Sequence, residues 1–283
     1  MSERDAPVDL TVPPMDDVVD LHGDPCAADL VLFMNGNQFM AMDDVVAAFC
    51  AERPEVAHVF FETIPPGKLV EQTLNGRLRV GNLVLSVRPD VVAAGPRALQ
   101  PLVDRNLLEE PREYTCNDLA ILVAAGNPLD IQGWADLARP DVRVAMPNLQ
   151  FEGVAGLIAE AVEKTCGPQA RQTIFEVKAS DGTTRFTEIH HRESARWLAA
   201  GEVDACPLWS TEARYHCDVL GADMHTVSIP AEENAVGRYA LAVVRGCQHP
   251  EAARQFVDFM VSGAGRDVYR QYGFASPVET ARV

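Results

Sequence analysis

The sequence predicts an α/β protein built as two lobes, each a mainly parallel sheet covered by helices. Three observations predict it. Short apolar runs bounded by Gly, Pro or Asn alternate with stretches whose apolar residues recur at i, i+3, i+4 and i+7. Strand–helix alternation of that kind folds as parallel strands with helices on both faces. At 283 residues the chain is long enough for two cores, which suits the alternation better than one long sheet.

The elements follow in order. Residues 1–28 are polar and Pro-rich and read as an arm. Residues 30–34 read as a strand, and Met42, Val45, Val46 and Phe49 then mark one buried helix face. Residues 56–62 form the next strand, "IPPGKLVEQTLNG" a turn and helix, and 90–94 a third strand ending at Gly95. "LAILVAAGNP" (119–128) is a longer apolar strand stopped by Gly126 and Pro128. "VRVAM" (142–146) precedes the loop "PNLQFEG" and the helix "VAGLIAEAVEK". "TIFEV" (173–177) reads as a strand, "ESARWLAAGEVD" as a helix ending near Gly201, and "ACPLW" (205–209) and "VGRYALAVVRG" (236–246) as strands. The last helix has Pro250 in its first turn, an apolar stripe at Ala253, Phe256, Val257 and Met260, and Gly263 past its end.

Hydrophobic residues make up 47% and charged residues 23%, ordinary values for a globular protein. The net charge of -17 argues against a nucleic-acid partner. It also means that any anion site must be built locally, against the long-range field. The seven cysteines are odd in number, irregularly spaced and free of any CxxC pair, which disfavours zinc-ribbon and thioredoxin-like readings. Reduced thiols are expected, as in a reducing compartment. The N-terminus has no basic segment followed by an apolar one, and no apolar run approaches ~18 residues. The expectation is no direct membrane insertion, and a cytoplasmic location as read, or a periplasmic one if a leader was removed.

In α/β sheets, ligands bind beyond the carboxyl ends of strands. The loops so placed are 34–39, 62–67, 94–97, 146–153 and 187–194. In the first, Asn35, Gly36, Asn37 and Gln38 either cap the following helix or present amide and backbone donors to a ligand. Pro66 and Gly67 shape a rigid turn that can present the N–H groups of Gly67 and Lys68, with Thr63 the only side-chain donor there. Glu152 begins a helix, where the dipole alone favours a carboxylate; otherwise it binds ligand hydroxyls or a cation. His190, His191 and Arg192 form either a solvated cluster or, with Ser194 capping the next helix, an anion-binding one in which Arg192 makes a bidentate contact. Trp209, at a strand end, is core or cleft lining. A metal site from His190, His191, His216 and Cys217 lacks the spacing that puts ligands on one helical face, and no cysteine has a recognisable nucleophile context.

The order of blocks resembles the type II solute-binding proteins of ABC transporters, nearest the molybdate/tungstate and related anion-binding branch. The resemblance is carried by "LVLFMNGNQFMAMDDVVAAF", "FFETIPPGKLVEQTLNG", "PDVVAAGPRALQPLVDRNLL", "NDLAILVAAGNP", "WADLARPDVRVAMPN" and "AAGEVDACPLW". Its most specific part is the ending, His249-Pro250-Glu251-Ala252-Ala253, Phe256, Phe259 and Tyr272-Gly273-Phe274-Ala275-Ser276-Pro277. It implies two Rossmann-like lobes joined by a hinge, closing on a ligand in the cleft between them. Lobe one would be 29–118 plus 236–283, lobe two 122–230, and the crossings 119–121 and 230–235. The implied function is non-catalytic capture of a small anion, an oxyanion or a carboxylated or phosphorylated metabolite, without a cofactor. Membrane subunits of an ABC transporter would be the partners. The alternatives are a cytosolic sensor or carrier on the same fold, and an enzyme or metal-binding protein using the His, Cys and Glu residues. Molybdate binders usually present hydroxyls in the first two loops; here Asn35-Gly36-Asn37-Gln38 and Thr63-Ile64-Pro65-Pro66-Gly67 stand there. A longer connection, "RLRVGNLVLSVRP", separates the second helix from the third strand.

Overall fold

The computed structural model describes residues 8–10, 20–150, 152–188 and 192–277. The described residues form two compact units, one holding 8–10, 20–116 and 238–277, the other 117–150, 152–188 and 192–237.

In chain order the first unit contributes β1 (Val8–Leu10), β2 (Leu21–His22), β3 (Leu30–Asn35), α1 (Phe39–Glu52), β4 (Val59–Ile64), α2 (Pro66–Asn75), β5 (Leu78–Val80), β6 (Leu83–Leu85), β7 (Val91–Ala94), α3 (Pro96–Asp104) and β8 (Arg112–Asn117). The second unit holds β9 (Leu119–Ala124), β10 (Val144–Met146), α4 (Gly153–Cys166), α5 (Pro168–Gln172), α6 (Lys178–Ser180), β11 (Thr184–Phe186), α7 (Arg192–Ala199), β12 (Ala205–Trp209), α8 (Ser210–Arg214) and β13 (Met224–Ser228). The chain then returns through β14 (Gly237–Val243), α9 (Pro250–Val261) and α10 (Gly263–Gln271).

The first unit's main sheet has the order β2-β4-β3-β7-β14-β8. Its centre is parallel, with Asn35 level with Ile64 and Phe33 level with Val92. Strand alternation sends Val31 and Phe33 to one face, where they pack with Leu69, Val70, Leu99 and Leu102 of α2 and α3. Leu30, Leu32 and Met34 point the other way and are equally buried. Phe49 of α1 meets Phe256 and Phe259 of α9 edge-on at 5.1 and 5.6 Å. The second unit's sheet has the order β11-β10-β12-β9-β13. One of its cores joins Ala120, Leu122, Ala145 and Leu208 to Ala195, Trp197 and Leu198 of α7.

Several expectations need correction. The sheets are mixed: β14 is antiparallel to β7, and β9 is antiparallel to both neighbours. β14 starts at the edge where β7 ends, and β9 starts where β12 ends, so each runs back against its neighbour. "TIFEV" is a π-helical turn that continues α5, with Ile174 and Phe175 buried. Its apolar run is one turn long, too short for period alone to separate strand from helix. The arm is not wholly detached. β1 pairs with β5, and β2 pairs with the edge of β4, where Thr63 N donates to Asp20 O at 2.9 Å. The long connection is the hairpin β5–β6. A further helix, α10, starts at Gly263. Its Gly265 lies so close to α9 that a Cβ there would sit 2.8 Å from Met260 Cα.

Candidate functional site

In the first unit, the carboxyl ends of β3, β4 and β7 lie side by side, and each feeds a helix. Pro66 and Pro96 open α2 and α3 at the first-turn position that tolerates a missing N–H. The turn after β3 is a single 3₁₀ turn, Gly36–Gln38, running straight into α1. None of α1, α2 or α3 carries an acidic residue in its first turn. Three positive dipole ends therefore meet one sheet edge with no acidic residue in their own first turns, in a chain of net charge -17, although the buried Asp20 carboxylate lies beside them at Thr63.

The side chains at this edge are buried rather than solvated. Gln38 has no exposed surface; its Oε1 accepts from the hydroxyls of Tyr114 (2.6 Å) and Tyr269 (2.9 Å). Asn37 donates through Nδ2 to Tyr239 Oη at 2.6 Å. Gln38 Nε2 and Asn35 Oδ1 are buried with no hydrogen-bond partner among the described residues. Gly36 lies against the Ile64 carbonyl, where an added Cβ would be 3.5 Å from the oxygen. Thr63 lies inside β4, and its hydroxyl donates to Asp20 Oδ1 at 3.3 Å. Gly67 is exposed, whereas the Lys68 N–H expected to face a ligand donates to Pro65 O at 2.9 Å.

In the second unit, β10, β11 and β12 are parallel, so their carboxyl ends gather Glu152, Thr187, Arg192 and Trp209 near one edge. Glu152 is the N-cap residue of α4, and its carboxylate closes the loop before it. Oε1 accepts from Asn148 N at 3.0 Å and makes a short hydrogen bond from Thr187 Oγ1. Asn148 Nδ2 donates to Thr187 O at 3.1 Å, completing the loop staple. Arg192 is the first residue of α7 and only 9% exposed. Ser194 is not the cap expected of it: it sits inside α7, and its buried Oγ has no partner among the described residues. His190 and His191 lie outside the described residues. No group of three metal-ligating side chains gathers among the described residues.

Trp209 is buried at the end of β12, and its indole lies on Gly237, where an added Cβ would come 2.6 Å from Cζ3. Gly237→Ala is therefore expected to displace the indole and cost ~1–3 kcal/mol. Tryptophan emission and urea unfolding measure both effects. An unshifted spectrum with parental stability would contradict the close approach.

The residues missed in the sequence are Tyr114, Tyr239 and Tyr269 around the first turn, and Asn148 and Thr187 around Glu152. A further set, Asn117, Ser210 and Thr211, is joined by hydrogen bonds from Asn117 Nδ2 to Thr211 (2.8 Å) and from Ser210 to Asn117 Oδ1 (3.1 Å). Thr187 opens the loop 187–194, but a lone threonine there carries no signal that separates it from its neighbours.

Two α/β units, with loops rich in helix N-termini at the carboxyl ends of their strands, define the fold of the type II periplasmic binding proteins. Residues 30–275 match the model of the bacterial extracellular solute-binding proteins, and the chain belongs to that family of non-catalytic binding proteins. It is 26% identical over 253 residues to the molybdate-binding protein ModA of Mycobacterium tuberculosis, covering 89% of this chain and 86% of that one. It is also 26% identical over 215 residues to the sulfate-binding protein of Escherichia coli, covering 71% of this chain and 64% of that one. Among solved structures, the periplasmic molybdate-binding protein of Azotobacter vinelandii superposes with a TM-score of 0.69 at 14% identity, covering 88% of this chain and 99% of that one.

Proposed function

We propose that the protein captures a small anion, a tetrahedral oxyanion or a carboxylated or phosphorylated metabolite, between its two lobes and delivers it to an ABC-type uptake system. The observation that carries this reading is the convergence of the N-termini of α1, α2 and α3, none with an acidic first turn, at one sheet edge. The names of the relatives, molybdate- and sulfate-binding, support the oxyanion class. The only side-chain hydroxyl of the second loop is committed to Asp20. Recognition in the first unit therefore falls to backbone N–H groups and to the amides of Asn35, Asn37 and Gln38. Gly36, Pro66 and Gly67 would shape that surface. Arg192, with Glu152 and Trp209 near the same edge of the second unit, supplies the charge-assisted contact. His190 and His191 precede it in the chain and are the further candidates. Ligand shifts an open–closed equilibrium by its differential affinity for the two states.

A thermal-shift panel of molybdate, tungstate, sulfate, phosphate, citrate and divalent metals tests the class. An anion at 100 times its dissociation constant is expected to add about 2.7 kcal/mol. A shift from metals alone would overturn the reading in favour of the His and Cys residues. With the ligand in hand, Arg192→Ala is expected to cost ~1.5–3 kcal/mol of binding and Asn37→Ala ~0.5–1.5 kcal/mol, by calorimetric titration. Both side chains are buried, so each change also lowers stability without ligand, by ~1 kcal/mol or more.

A further inference from the structure

The turn after β3 is not held by its own backbone alone. Asn37 reaches Tyr239, the third residue of β14, one residue after the chain re-enters the first unit at Arg238. Gln38 accepts from Tyr114 in β8, two residues before the chain leaves that unit after Cys116, and from Tyr269 of α10. Both lone-pair directions of the Gln38 carbonyl oxygen are thereby used. The three phenols form a connected aromatic set: Tyr114 meets Tyr269 edge-on at 5.5 Å, and Phe274 meets Tyr269 at 5.0 Å and Tyr239 at 6.4 Å. Immediately beyond Phe274, Ala275 exchanges backbone hydrogen bonds with Cys116, both at 2.9 Å. The Tyr-Gly-Phe-Ala-Ser-Pro ending thus fixes β8 at its exit. Two amides of one turn are wired, by buried hydrogen bonds, to both strands that connect this unit to the rest of the chain.

We propose that Tyr114 and Tyr239 are positioning residues that tie the β3–α1 turn to β8 and β14, so that occupancy of the turn by an anion is passed to the two connecting strands. The proposal rests on the reading of that turn as part of the anion site. In a buried network each hydrogen bond restricts the others, and a displacement of Asn37 or Gln38 cannot occur without moving a phenol or breaking its bond. Neither tyrosine needs to touch the anion. Each acts through an amide of the turn, and Tyr269 holds the shared acceptor from the helical side.

Amide hydrogen exchange on the full chain tests this. Without any anion, Tyr239→Phe is expected to speed exchange at residues 36–39 by roughly 3- to 10-fold, the factor expected for one lost hydrogen bond. Tyr272→Phe is the control. Tyr272 donates to Asp44 at 2.6 Å on the surface, and its loss should leave the turn unchanged. Molybdate, sulfate, phosphate or citrate, whichever binds, added to the parent should slow exchange at 36–39 and also in 112–117 and 237–241. In Tyr114→Phe/Tyr239→Phe the turn should still be slowed while the strands are not. A purely structural role for the tyrosines would not produce that split. Unchanged turn exchange in anion-free Tyr239→Phe overturns the tie, and strands slowed as in the parent in the double variant overturn the relay. Failure of molybdate, sulfate, phosphate and citrate alike to slow the parent's turn overturns the anion reading beneath it, and the relay with it, while the anion-free arm still decides the tie.

Discussion

Replacing Glu62 by glutamine is expected to stabilise the protein by an amount that grows from nothing near pH 4.5 to roughly 5 kcal/mol at pH 8 and above. Glu62 sits in β4 with no exposed surface. Its Oε2 accepts from Gln72 Nε2 at 3.3 Å, and its Oε1 has no partner among the described residues. Burial pushes its carboxyl from 4.5 up to about 8, opposed by the Gln72 hydrogen bond and helped by the smaller effect of the Asp20 carboxylate. A raised native pKa means that the folded protein holds the proton more tightly than the unfolded chain. The stabilisation is therefore complete below about 4.5 and is lost as pH rises through about 8, at about 1.4 kcal/mol per pH unit. Glutamine has nothing to ionise and keeps the size and the hydrogen-bonding ends. Urea unfolding at pH 5, 6.5 and 8 should show a falling parent and a Glu62→Gln variant that lacks this contribution. Equal pH slopes in the two proteins would show that Glu62 ionises without penalty.

The second large effect is expected at Lys178, where Lys178→Met should destabilise the protein by ~3–4 kcal/mol. The ammonium is buried and donates to three backbone oxygens: Leu137 O at 2.7 Å, Arg139 O at 2.7 Å and Val142 O at 2.6 Å. Leu137 belongs to the 3₁₀ helix Trp134–Ala138, whose last carbonyls have no partner within the helix. One side chain thus closes a helix end and the loop that follows it. Burial pulls the lysine pKa down, and the fields of Asp181, Asp141 and Asp204 oppose it. Methionine matches the length but takes the ammonium donor from all three carbonyls, and only Arg139 O keeps a backbone donor, Val142 N at 3.3 Å. Lys178→Gln, with two donors, should recover part of the loss. A methionine variant within ~1 kcal/mol of the parent would mean that water reaches these oxygens.

How far the structure could be read beforehand depended on the range of the forces. The helix faces of α1 and α9 were legible because burial of one side imposes a 3.6-residue period: Met42, Val45 and Phe49, and Ala253, Phe256 and Met260, are all buried. "TIFEV" failed because a five-residue apolar run carries no period, and α10 was passed over because its glycines, including the close-packed Gly265, weaken the helical signal. Strand direction was not legible for β9 and β14, since the alternation of elements does not tell which strand starts at which edge. At the candidate site, the place of Asn35–Gln38 between a strand and a helix could be read from the turn residues. Their burial could not, because the groups that bury and bond them are far away in the chain. Tyr114 is 76 residues from Gln38, Tyr239 is 202 from Asn37, and Tyr269 is 231 from Gln38.

The sequence by itself determined the α/β class, the strand–turn–helix positions of the candidate loops and the need for any anion site to be local, given a net charge of -17. Each of these follows from the order of residues or from their sum. Only the tertiary structure decided which polar groups at those loops are already spent. The Thr63 hydroxyl is taken by Asp20, Glu152 Oε1 by Asn148 and Thr187, and the carbonyl oxygen of Gln38 by two tyrosines. The physical reason is that a buried polar group must find a partner wherever packing supplies one, and packing brings partners from any distance along the chain.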